Sequence, residues 1–199
     1  EVNSSIIKLI KKKIVTHTSC IIYQQNNYIE GFNELKDRAK DVNIGLHLLF
    51  INDENNNNYD LNNYKNTFRK YLIRSHLSYI DKNKIIRLIN NQLDYFEKFF
   101  SFQPKFIDSH MHIHQFPKIS NILLKILIKR YSSSDLDKIW IRNTQNYNIK
   151  KNNIKSNVLS YYGKNFKKKL INFNIKTNKN FIGCYEFKDN FKIKLFYER

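Results

Sequence analysis

The chain has only two prolines, and the segment they bracket, residues 104–117, holds three of its six histidines. Within it Phe106, Asp108, His110, His112 and His114 share one parity, while Ile107, Ser109, Met111 and Ile113 share the other. A β-strand sends alternate side chains to opposite faces. Read as a strand, this segment lines one face with a carboxylate and three imidazoles. Burying four such groups costs energy unless each is paired, so a packed core has no use for that face. A site that binds a metal or moves protons does. The plain alternative is an exposed, histidine-rich loop end.

Spacing limits which of these side chains share an ion. Same-face neighbours on a strand lie roughly 6.5–7 Å apart, so His110 with His112, or His112 with His114, can converge. His110 and His114 are about 13 Å apart by the same rise and cannot, unless the strand bends or ends between them.

The rest of the chain alternates helical and extended patterns. Val2, Ile6, Ile7, Leu9 and Ile10 form a helical stripe over residues 2–13, ending in a lysine run that suits the negative end of the helix dipole. Residues 14–23 read as a buried strand rich in β-branched side chains. A helix over 31–40 and a strand over 42–50, which carries His47, follow. Residues 51–66 form a polar, Asn-rich loop, either an insertion without a role or a place for substrate contacts. Residues 68–79 read as helical, and Asp81 reads as the N-cap of a helix over 82–100, with Ile85, Ile89, Leu93, Phe96 and Phe100 at 3–4 spacing. Pro117 opens a further helix to about Arg130, packed through Ile119, Ile122, Leu123, Ile126 and Leu127. Residues 138–142 form a short strand, and 181–187 and 191–197 read as further strands. This alternation predicts βαβ units on a parallel sheet: an α/β fold, (β/α) barrel-like, in a single domain over residues 1–199. Active residues of such a barrel sit at strand ends, which is where His47 and His110 fall.

Composition excludes several functions. Four glycines and no Gly-rich loop argue against dinucleotide binding. A formal net charge of +18 invites nucleic-acid binding. The Lys and Arg residues are nevertheless spread along the whole chain and accompany an excess of Asn and Ile, the residues an AT-rich genome favours. Lys11-Lys12-Lys13 and Lys167-Lys168-Lys169 are the dense runs and read as solvated helix ends, so no specific nucleic-acid partner is expected. Cys20 and Cys184 form no metal-binding pair by spacing, and two free thiols in a reducing cytoplasm are the default. No apolar run approaches the ~18 residues of a membrane span. Homo-oligomerisation stays open.

Asp-Ser-His-Met-His-Ile-His-Gln-Phe-Pro (residues 108–117) resembles the Asp-Ser-His-x-His-x-His segment of the YdjC/ChbG-like carbohydrate deacetylases, the family that includes chitooligosaccharide deacetylase. Two further stretches match in order: residues 1–7 with 14–19 resemble the family's first helix and following strand, and 43–48 resemble its Gly-Leu-His-Leu segment. The likeness covers roughly the first 130 residues.

The resemblance implies a barrel-like fold and removal of the acetyl group from an N-acetylated sugar or oligosaccharide. It also implies one divalent ion, zinc or magnesium, held by His47, by His110 and by one Asp of an N-terminal Asp-Asp pair. That pair has no counterpart here and is expected on a strand just before Glu1; the family's histidine in a C-terminal His-Pro segment is missing too, so the active site is expected to be incomplete in residues 1–199. Asp108 orients a ligating imidazole, as second partners of metal ligands commonly do, or caps a turn or pairs with Lys105. His114 and Asp108 are the catalytic candidates, and His112 and Arg142 the substrate-binding ones. His17 and His76 belong to no constellation and read as structural. Two other readings remain: a different metallohydrolase on the same barrel, and a catalytically inactive, polyanion-binding relative.

Overall fold

The computed structural model describes residues 2–22, 29–50, 64–77, 79–145 and 154–181. Its centre is a sheet of five parallel strands in chain order: β1 (His17–Cys20), β2 (Asn43–Leu48), β3 (Phe106–Ser109), β4 (Trp140–Ile141) and β5 (Lys176–Thr177). Parallel neighbours need crossover connections, usually helical. These are α2 (Ile29–Asp37) after β1, α3 (Tyr64–Leu77) and α4 (Lys82–Phe100) after β2, α5 (Pro117–Arg130) and the short α6 (Ser133–Leu136) after β3, and α7 (Ile154–Asn172) after β4. An initial helix, α1 (Val2–Lys11), precedes β1. Sequential parallel order with a helix in each crossover is the arrangement of a (β/α) barrel-like fold.

Strand alternation divides the sheet into two faces. Cys20, Ile44, Leu46, Leu48, Ile107 and Ile141 occupy the helix-facing side, all within the buried core. Fully burying such a side chain contributes roughly 1.5–3 kcal/mol. The 19-residue helix α4 shows how directly its sequence specifies it. The Asp81 carboxylate accepts the Lys84 N–H at 3.0 Å as N-cap, and Ile85, Ile89, Leu93, Phe96 and Phe100 are buried. Its buried Gln92 also reaches past the end of β2, accepting the Leu49 N–H at 2.8 Å and donating to the Leu49 carbonyl at 3.1 Å. That pair satisfies backbone that would otherwise be stranded in the core beyond the ladder.

The other face is built in layers. Phe106 stacks on Trp140 with ring centres 4.6 Å apart, and the edge of His17 meets both rings at 5.8 Å. Nearer the C-terminal strand ends, the same face carries Ser19, His47 and Asp108.

The structure corrects the sequence expectation on the histidine segment. The strand does not run through His114: it ends at Ser109, and His110–Gln115 forms a 3-10 turn. Met111 and His112 take left-handed backbone angles, φ 55° and 56°, a conformation costing roughly 1–2 kcal/mol per non-glycine residue. The corner persists because Ser109 Oγ accepts the His114 N–H at 3.1 Å and bonds the same imidazole. The strand expected over 14–23 is shorter, beginning at His17. α7 and β5 answer no expectation, and the strands expected over 181–187 and 191–197 lie, apart from Phe181, outside the described residues.

Candidate functional site

His47 and Asp108 are register partners on β2 and β3, so their side chains project from the same face. The His47 Nδ1–H donates to Asp108 Oδ1 at 2.8 Å. The other oxygen, Oδ2, meets Arg142 at 2.6 Å and Ser19 Oγ at 3.4 Å. Asp108 is 1% exposed. Burial by itself would raise its carboxyl; the hydrogen bond and charge of His47, then the charge of Arg142, outweigh burial and hold it below the usual carboxylate range. With Nδ1 committed to this carboxylate, Nε2 is the ring nitrogen His47 can offer to a ligand, an arrangement that fixes tautomer and orientation together.

His110 begins the turn after β3, its ring centre 6.2 Å from that of His47. Burial, then the neighbouring His47, lowers its pKa, which favours the neutral ring a metal requires. The donor set can be tested against an ion. Imidazole nitrogens bind zinc at about 2.0–2.1 Å, so two rings on one ion have centres roughly 5 Å apart at a tetrahedral angle and up to about 6.5 Å at wider angles. At 6.2 Å His47 and His110 stand near the wide end of that range, and imidazole nitrogens suit zinc and its first-row neighbours. Among the described residues no group of three His, Cys, Asp or Glu side chains is arranged to hold a metal, so this pair would supply two ligands of a larger set.

The turn brings His114 back under β4. Its Nε2–H donates to the Arg142 carbonyl at 2.7 Å, which leaves Nδ1 to accept the Ser109 hydroxyl at 2.7 Å. The ring is 0% exposed, and burial pushes its pKa down to about 4. Both nitrogens are thus engaged inside the protein, and His114 clamps the backbone at Arg142 rather than opening onto the site.

His112, on the left-handed corner, packs against Phe181 with ring centres 5.0 Å apart and lies 6.5 Å from His114. Its Nδ1 is buried without a hydrogen-bond partner, and burial followed by the neighbouring His114 lowers its pKa to about 3. An orphaned buried nitrogen costs roughly 1–3 kcal/mol, and such groups gather where a ligand later completes them.

Arg142 follows β4 and remains 31% exposed. Its guanidinium stands over the Phe106 ring, 5.9 Å from the centroid. The structure therefore brings His47, Asp108, His110 and Arg142 together at the C-terminal edge of the sheet, with His112 and His114 on the turn behind them. His17 sits at the opposite end of β1, bonded to Thr16 and Asn43, and His76 on α3 meets the Tyr162 hydroxyl, both apart from this group.

Sequence reasoning missed Ser19 as a member of the site. Its signal was a hydroxyl on the parity of His17 near the end of an otherwise β-branched strand. Cys20 is a free, buried thiol whose pKa burial pushes up to about 12, which makes it inert as a nucleophile. Cys184 lies outside the described residues. A cavity of about 560 Å³ is lined by Trp140, Ile171, Ile175, Lys176, Thr177 and Asn178, on the β4–β5 side, with no histidine in its lining. Among the described residues no helix is long and apolar enough to cross a membrane.

The family described as YdjC-like protein matches the chain over residues 1–198. Comparison with curated proteins finds no match.

Proposed function

Because the chain belongs to the YdjC-like family, which is related to the carbohydrate deacetylases, we propose that it is a metal-dependent hydrolase that removes the acetyl group from an N-acetylated sugar or oligosaccharide. The observation that carries this reading is the His47 imidazole, held by Asp108 through Nδ1 and standing beside His110 at the C-terminal edge of a parallel sheet.

In this reading His47 and His110 hold one divalent ion, zinc or magnesium, which when bound polarises the acetyl carbonyl and lowers the pKa of water. Asp108 keeps the His47 ring in one tautomer and one orientation. His112, on the turn after β3, and the exposed part of Arg142 serve as the contacts to the sugar. Buried and neutral, His114 holds the Arg142 backbone in place. A third protein ligand and a base complete the chemistry.

The test measures acetate released from N-acetylated chito-oligosaccharides by the full-length protein, with zinc, with magnesium and after chelation. Metal-dependent release of acetate and free amine is the expected result. Stoichiometric metal without acetate release from any N-acetylated sugar would favour a different hydrolase on this fold, and no metal binding by the full-length protein would overturn the reading.

A further inference from the structure

We propose that Arg142 is a positioning residue of this site: its guanidinium anchors Asp108, and only through Asp108 does it fix the imidazole of His47. The inference rests on the reading of His47 as a metal ligand, and it gives Arg142 a principal partner inside the protein rather than on the sugar.

The carboxylate of Asp108 is almost wholly withdrawn from water. A buried charge is tolerated only when it is paired and hydrogen-bonded. His47 satisfies Oδ1 through its hydrogen bond, which leaves Oδ2 to be held by other partners. At 3.4 Å, Ser19 Oγ stands at the long limit for an O–H···O bond and contributes little. The contact that both neutralises Asp108 and stops its rotation is Arg142 to Oδ2 at 2.6 Å. Charge-assisted bonds of this kind are roughly twice as strong as neutral ones.

Arg142 is itself held from both ends. Its backbone N–H donates to the Ile107 carbonyl at 3.0 Å, and its own carbonyl accepts the His114 Nε2–H at 2.7 Å. The guanidinium lies over Phe106, whose ring is stacked on Trp140. A side chain kept only to greet a ligand has no need of such support. One that must hold a neighbouring carboxylate still does, because ligand orientation tolerates errors of only about 0.5 Å.

The experiment compares the wild-type chain with Arg142→Gln and Arg142→Lys. Long-range ¹⁵N–¹H spectra of the metal-free proteins at mildly alkaline pH report which His47 nitrogen carries the proton. Wild type is expected to show Nδ1–H alone, Arg142→Gln a mixture of both tautomers, and Arg142→Lys, which keeps the charge, mostly Nδ1–H. Zinc titrated into the full-length proteins should bind about 10–100-fold more weakly to Arg142→Gln and within a few-fold of wild type to Arg142→Lys. If Arg142→Gln fails to fold, the lysine variant decides: Nδ1–H retained with near-native zinc affinity is expected, and a mixed tautomer there means charge on Asp108 is not what fixes His47. An unchanged His47 tautomer in Arg142→Gln, with only KM raised, would overturn the proposal and make Arg142 a substrate contact. The tautomer readout needs no metal, so failure of wild type to bind zinc would count against the hydrolase reading and leave the Arg142 assignment to the spectra.

Discussion

Gly45 lies against the ring of Phe106 so closely that a β-carbon on it would stand 2.6 Å from the ring. The glycine of the Gly-Leu-His-Leu stretch therefore has a packing reason. It lets an aromatic ring fill the layer directly beneath His47 and Asp108, where Phe106 in turn supports Arg142. Gly45→Ala should destabilise the fold by about 1–3 kcal/mol, the usual cost of overpacking. Urea denaturation measures it, and a midpoint unchanged from wild type would show that Phe106 has room to move.

Removing either imidazole of the candidate ion site should abolish tight metal binding. His47→Ala and His110→Ala, in the full-length protein, are each expected to lose stoichiometric zinc while melting near the wild-type temperature, since both rings are partly exposed. Calorimetric titration reads the affinity. Stoichiometric binding that survives in both variants would move the ion elsewhere.

Asp108→Asn preserves shape but removes the charge between His47 and Arg142. Metal affinity should fall about 10–100-fold, as for other partners of ligating histidines. Stability should fall too, because Arg142 loses its counter-charge at a residue 1% exposed. Equal affinity for zinc in the two proteins would mean that the carboxylate does not orient the ligand.

Stability should decline with acid in a defined window. The folded-state pKa of His114 is depressed to about 4, against an ordinary 6.5 in the unfolded chain. Between those values the unfolded state binds more protons, so stability rises with pH there. The contribution is fully present above about pH 6.5, shrinks as pH falls, and is gone below about 4. Its size is roughly 3 kcal/mol, from about 1.4 kcal/mol per pKa unit. His112, depressed to about 3, adds loss of the same sign over a range reaching further down. Denaturation at a series of pH values checks the slope, and His114→Gln should flatten it, whatever its effect on overall stability. An equally steep dependence in that variant would assign the acid sensitivity to other groups.

His114→Ala separates support from ligation. It strands the Arg142 carbonyl in a buried space and removes the imidazole partner of the Ser109 hydroxyl, so the melting temperature should drop and turnover with it. Zinc stoichiometry should stay near one per chain, because no ring nitrogen of His114 is free. Loss of the ion would place this ring in the ligand set after all.

Much of this arrangement is written locally. The 3–4 spacing from Ile85 to Phe100 and the carboxylate at Asp81 specify α4 to both ends, and Pro117 opens α5, because capping and helical periodicity are properties of a few adjacent residues. The parity of Phe106 and Asp108 likewise marks the inward face of β3. The same parity carried on to His114 was a misleading guide. Alternation continues in the letters, while the chain turns at Met111 and His112 because Ser109 and the Arg142 carbonyl, 28 residues beyond His114, capture its ring. α7 and β5 were also illegible: their Asn- and Lys-rich sequence has weak periodicity, and β5 is two residues long. Sequence alone determined which side chains could serve as ligands and roughly where the strands lay. Tertiary structure decided which of them met, since the pairing of His47 with Asp108 spans 61 residues and depends on the register of two strands, a quantity no local pattern contains.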